Sequence, residues 1–235
     1  MALAIAAPLP LLGQAPVPFA GCRSDGQGGP EDAPSGNTRT LDLSREAAGQ
    51  LAYYGAAQGP GVLGPRGWYC FGTYGSAGDT LYVSPQPIDT SHLFTKWAGF
   101  DGPAIEVDYR YGGTSGRFEV AEIIARVFPA FKEFVTNLKK FEPQRSFQFG
   151  PYPADALTYK SKTEVEYITP ARADGLGTYG SLKKNGNEIR GVAVLLGTYP
   201  DLLHVAVRLP ADLSALAPAI VTQVERDAAA NPGGF

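Results

Sequence analysis

EIRGVAVLLGTYPDLLHVAVRL, residues 188–209, contains two apolar runs of strand length joined by a short polar loop. Val, Ile and Leu dominate 188–196 and 202–209, and the loop from Gly197 to Asp201 supplies turn chemistry, so the pattern predicts two neighbouring antiparallel strands. In the second run a period of two puts Leu203, Val205 and Val207 on one face and His204 on the other, where it is expected to be a half-exposed strand residue.

Beyond this pair a final helix is expected over 213–229, carrying Ala219, Ile220, Val221 and Val224. Pro218 fits only its first turn, which leaves 211–216 as a candidate separate turn. Toward the N-terminus the same reasoning gives strands over 178–182 and 158–168, with Asn185-Gly186 as a turn. A long helix is expected over 118–140, where Val120, Ile123, Ile124, Val127, Phe131, Val135 and Leu138 recur at helical spacing and Pro129 predicts a kink.

Before it lie a strand over 102–111 and a hairpin, 68–74 with 80–84, turning at 75–78; a first helix is expected over 43–57 with Asp42 or Ser44 as N-cap. Hairpin, helix, strand meander and helix together predict an α+β fold: a single domain with a twisted, mainly antiparallel sheet and helices packed on it. That domain is expected over 41–235, preceded by a signal-like apolar segment at 1–21 and a flexible polar loop at 22–40, which is too polar to order itself.

A formal charge of −3 on 235 residues creates no field that would steer the chain to nucleic acid. Prolines 8, 10, 16 and 18 argue against a continuous membrane helix in the apolar start, and no transmembrane helix is expected in the mature chain. Two cysteines behind a signal-like segment point to an exported protein, periplasmic or secreted, with Cys22 bonded to Cys70. Closing a loop of this size contributes about 4 kcal/mol in the chain-entropy model. Two alternatives stay open. The first is an apolar N-terminal arm that packs on the domain; the second is a lipid anchor at Cys22, because FAGC (19–22) resembles a bacterial lipoprotein cleavage site.

GVLGPRGWYCFGTYGS (61–76) and GLGTYGSLKKNGNEIRGVAVLLGTYPDLLHVAVRLP (175–210) resemble an uncharacterised family of exported bacterial proteins, a likeness that carries no activity with it. In element order the chain is also similar to the PsbP-like fold, whose members are commonly accessory or binding proteins. That similarity implies a binding role only by analogy of architecture.

Candidate chemistry is sparse. No catalytic residue, cofactor or metal site is assigned, since two histidines and two distant cysteines match no zinc spacing. Cys70 is a possible thiol nucleophile only if it is unpaired, with His92 or His204 as the available imidazole bases. Glu106 and Asp108 share a strand face with Arg110, which reads as a solvated, charge-matched face; with Glu119 and Glu122 they make a paired-carboxylate hydrolase only if strand and helix converge. Trp68, Tyr74, Tyr82, Tyr109 and Tyr111 are the possible binding aromatics, for an unknown protein partner or small ligand, although sheet packing accounts for them equally well. The function expected is therefore non-catalytic binding through one face of the sheet, with an exported hydrolase using carboxylates or Cys70 as the alternative.

Overall fold

The structure is a computed structural model, and it describes residues 13–235. Its elements in chain order are β1 (Gly13–Val17), β2 (Phe19–Gly21), β3 (Arg23–Gly26), β4 (Arg39–Leu43), α1 (Arg45–Gln50), β5 (Leu51–Gly55), β6 (Val62–Pro65), β7 (Tyr69–Gly75), β8 (Gly78–Ser84) and β9 (Ala104–Arg110). There follow α2 (Arg117–Val127), α3 (Lys132–Phe141), β10 (Ala156–Tyr159), β11 (Glu164–Thr169), β12 (Ile189–Leu196), β13 (Asp201–Arg208) and α4 (Ala217–Ala230).

One eight-stranded sheet runs β10-β11-β12-β13-β9-β8-β7-β3. It is antiparallel except at the β3–β7 edge, where the pairing is parallel. Helices cover both of its faces. On one, Ile105, Val107 and Val205 pack with Ile220 and Val224 of α4 and with Leu51 and Leu63 of β5 and β6. On the other, Val120, Ile123 and Ile124 of α2 and Val135 of α3 cover Val165, Tyr167, Ala193 and Leu195. Each fully buried aliphatic side chain of this kind contributes about 1.5–3 kcal/mol relative to exposure. The expected α+β domain with its mainly antiparallel sheet is therefore what the chain forms, and the 188–209 stretch sits near the middle of that sheet.

Several local expectations are overturned. The first helix is a single short stretch, Arg45–Gln50, capped by Ser44, whose Oγ accepts from the Ala47 N–H at 3.1 Å. The next five residues, LAYYG, are strand β5, because all five are buried and the paired tyrosines favour a pleated strand over a helix. The long helix is broken rather than kinked at Pro129: α2 ends at Val127, a tight turn covers Pro129–Phe131, and α3 begins afresh. Residues 158–168 form not one strand but the β10–β11 hairpin. The strand expected over 178–182 is a tight turn, Leu176–Thr178, followed by a single bridge from Leu182 to Phe100.

The N-terminal region departs further. Part of the signal-like segment is folded: β1 pairs with β4, Val17 is fully buried, and β2 runs parallel to β5. For residues 13–21 the packed-arm alternative describes what is seen, and the rest of the signal-like segment lies outside the described residues. Within the supposedly flexible 22–40 stretch, β3 joins the large sheet, because its backbone groups find partners in β7 that its side chains could not provide. Cys22 lies where the chain passes from the small β2-β5-β6 sheet to the large one, and its Sγ is bonded to that of Cys70 at 2.01 Å. This overturns the thiol-nucleophile reading of Cys70. Replacing Cys70 with Ala is expected to cost about 4 kcal/mol under oxidising conditions and little under reductant. Equal loss in urea melts with and without reductant would show that packing, not the bond, is what Cys70 supplies.

No helix among the described residues is long and apolar enough to cross a membrane. A disulfide on such a fold is consistent with an exported protein.

Candidate functional site

The face of β9 that carries Glu106, Asp108 and Arg110 is not solvated. Glu106 is 3 % exposed and Asp108 5 %, which corrects the solvated-face reading. Alternation does put the three on one side of the strand, but α2 and the 179–181 segment close over that side. Together with β8 and β13 they enclose a cavity of about 340 Å³ lined by Glu106, Asp108 and Arg110, by Glu119 and Glu122 of α2, and by Tyr82, Tyr179 and His204. Strand and helix thus bring together the four carboxylates whose convergence could not be read from the sequence.

His204 is also corrected. It is 2 % exposed, directly across from Asp108 in the β13–β9 register. Its Nε2 lies 2.9 Å from the Tyr167 hydroxyl, which itself donates to the Val205 carbonyl at 2.9 Å. The Tyr167 hydroxyl, with one hydrogen to give, thus stands between the His204 ring and the Val205 carbonyl. Burial holds the ring neutral, with its pKa pushed down to about 4 against the pull of Asp108.

Around the carboxylates the partners are specific. Asp108 Oδ1 accepts from the Thr80 hydroxyl at 2.7 Å and from Arg110 Nη2 at 2.5 Å, and the same guanidinium nitrogen donates to Thr80 Oγ1 at 2.9 Å. Glu122 accepts from the Tyr179 hydroxyl at 2.6 Å. Glu106 Oε2 accepts from the Ser181 N–H at 2.7 Å. Burial, and then repulsion from Asp108, raises the Glu106 pKa to about 8, so this carboxyl is mostly protonated at neutral pH.

Gly180 is what allows the contact with Glu106. A Cβ there would sit 2.6 Å from Oε2 and 2.7 Å from Oε1 of Glu106, well inside contact distance. Gly180→Ala is expected to push the carboxyl off the Ser181 amide and to cost roughly 1–3 kcal/mol, the range for leaving a buried polar group unpaired. Thermal melting checks this; an unchanged midpoint would mean that the loop, not the carboxylate, gives way.

The five aromatic candidates do not form one site. Tyr82 lines the cavity, and its outer side packs against Trp97 at 4.8 Å between centroids. Trp68 lines a separate groove beside the disulfide. Tyr74 lines a cleft at the β7–β8 turn and donates to the Gly29 carbonyl at 2.5 Å. Tyr109 and Tyr111 stack edge to face, and their hydroxyls donate to Asp201 and Asp79. Tyr109 belongs to the core on the α4 side of the sheet. His92 lies in an exposed turn, where its carbonyl accepts from the Thr95 and Lys96 amides.

Tyr179, Gly180 and Ser181 were missed because they were read as strand and turn. No local signal separated them, because the identical Gly-Thr-Tyr-Gly-Ser run at 72–76 ends the paired strand β7. By volume alone the groove beside the disulfide, about 540 Å³, would rank above this cavity, but buried ionisable groups converge only in the latter among the described cavities. No family model, curated protein or solved structure matches the chain.

Proposed function

We propose that this is an exported, non-catalytic protein that binds a small ligand in the cavity between β8, β9, β13 and α2. One observation carries the reading. The sheet buries Glu106, Asp108 and His204 together in one place, and that place is concave. Burying such groups costs stability wherever they are not fully paired, and a cavity that concentrates them is a functional-site candidate on physical grounds. Export is supported by the disulfide. If the chain is processed, the cut falls before Gly13, since a cut beside Cys22 would remove β1 and β2. Intact mass of protein from its native host reads this directly.

The hydrolase alternative keeps one supporting observation, the convergence of Glu106 and Asp108 of β9 with Glu119 and Glu122 of α2 on one cavity. It is the weaker reading, because Thr80 and Arg110 both occupy the Oδ1 oxygen of Asp108 and hold it as a structural partner rather than a free base.

The binding reading is tested by amide NMR with a small-molecule fragment panel. Ligands are expected to shift Gly180, Ser181 and His204 together. Shifts clustered instead at Trp68 and Tyr69 would move the site to the disulfide groove and overturn the assignment.

A further inference from the structure

We propose that the β10 edge of the large sheet is a self-association surface, on which a second copy of this chain adds its own β10 in antiparallel pairing. The eight-stranded sheet ends in β3 on one side and β10 on the other, and the two ends are finished differently. At the β3 end, Ser24 and Glu31 exchange both backbone bonds, at 3.1 and 2.8 Å, and the Gly26 carbonyl takes the Gly29 amide at 3.0 Å. That edge is covered. At the β10 end, no strand among the described residues pairs with the outer side.

Register decides which groups of β10 point outward. The Lys160 N–H donates to the Glu164 carbonyl at 3.0 Å, and on the far side of β11 the Leu195 N–H donates to the Thr163 carbonyl at 2.8 Å. Hydrogen bonding alternates along an antiparallel strand, so residues 156, 158 and 160 bond inward to β11, while Leu157 and Tyr159 turn their N–H and C=O groups away from the sheet. The strand is open to solvent, with Ala156, Thr158 and Tyr159 exposed and Leu157 half-buried. It carries no proline, charge or bulge of the kind that blunts a sheet edge.

These outward groups are self-complementary. A two-fold axis through Thr158 sets Leu157 of each copy opposite Tyr159 of the other, and each such pair exchanges both of its bonds, so every outward N–H of the two strands meets a carbonyl. Leu157 packs on the α2–α3 side of the sheet, and alternation puts Tyr159, 52 % exposed, on that side too. Two apolar–aromatic cross-strand pairs result. Lys160 falls opposite Ala156 of the second copy and is already matched by Glu166 at 2.8 Å, so no like charges face each other across the seam. Four residues a side bury far less than a standard interface, and the dimer is therefore weak and concentration-dependent. The cavity lies between β8, β9, β13 and α2, inside the sheet, so this inference stands apart from the binding reading.

Sedimentation velocity of the full chain at rising concentration is expected to show a shift from monomer to dimer. Tyr159→Pro removes one outward donor per copy at an edge position that leaves the β10–β11 ladder intact, and it is expected to weaken association about tenfold, the equivalent of two hydrogen bonds. Thr158→Cys places two thiols across the axis, where a pair that does not hydrogen-bond has its Cα atoms about 4.5 Å apart, within disulfide reach. Mild oxidation is expected to link that variant into covalent dimers. Ala156→Cys, which lies opposite Lys160 rather than its own counterpart, is expected to stay unlinked. A chain that is monomeric at every concentration would overturn the proposal, and so would equal cross-linking of the two cysteine variants or a dimer that Tyr159→Pro leaves equally strong.

Discussion

Replacing Arg208 with Ala is expected to destabilise the protein by roughly 5 kcal/mol, the largest loss foreseen for any single side chain here. Arg208 has no exposed surface, yet it pairs with no carboxylate. Its guanidinium donates instead to backbone carbonyls: Nε to Gly102 at 2.9 Å, Nη2 to Phe100 at 2.7 Å, and Nη1 to Lys183. Truncation removes these donors, although the Phe100 carbonyl keeps the Lys183 amide, and empties the volume of a fully buried side chain, a loss of the size seen for large-to-small core substitutions, about 3–5 kcal/mol. Phe100 also holds the 181–183 segment by its own backbone bonds to Ser181 and Lys183, so the variant should loosen the wall that presents Ser181 to Glu106. Urea denaturation measures the loss. Arg208→Lys keeps the charge without the fork and is expected to fall between the two. A loss below about 1 kcal/mol for the alanine variant would show that water replaces the guanidinium, contrary to a structural role.

The second large effect is a pH dependence set by two buried groups of opposite sign. Glu106 has its pKa raised from 4.5 to about 8, so the native state holds a proton that the unfolded chain has released, and stability falls as pH rises across that window. His204 has its pKa lowered from 6.5 to about 4, so the unfolded chain takes up the proton first, and stability falls as pH drops across that window. Where the windows overlap, between 4.5 and 6.5, the two slopes cancel. Glu106→Gln removes one of them. Relative to the wild type, the variant is expected to gain stability progressively from pH 4.5 to 8, on the order of 5 kcal/mol at 1.36 kcal/mol per pH unit. Glu225, raised to about 8 by burial and by neighbouring Glu166, adds a fall of the same sign to both proteins and leaves the difference between them unaffected. Chemical denaturation of both proteins at intervals from pH 4 to 9 provides the check. Parallel curves would mean that Glu106 is ionised in the native cavity.

The second prediction concerns polar groups whose environment the sequence misjudged, and the pattern of success and failure has a physical cause. Alternation on β9 and β13 and helical spacing on α2 and α4 were legible, because each arises from one element burying one face. The Cys22–Cys70 bond was legible too, since two cysteines in a chain expected to be exported have each other as partners. What failed was local competition between states of similar energy. LAYYG extended into a strand where the first helix was expected to continue, and Pro129 separated two helices rather than bending one.

The amino-acid sequence by itself therefore determined the fold class, the central strands and their facing, and the disulfide, all of which follow from periodicity, turn chemistry and the cysteine count. Only the tertiary structure decided that the polar face of β9 is interior. Whether a charged side chain meets water or another element depends on what packs above it, and Glu106, Asp108 and His204 are covered by α2, which folds back just after β9, and by residues 179–181 from much further along the chain.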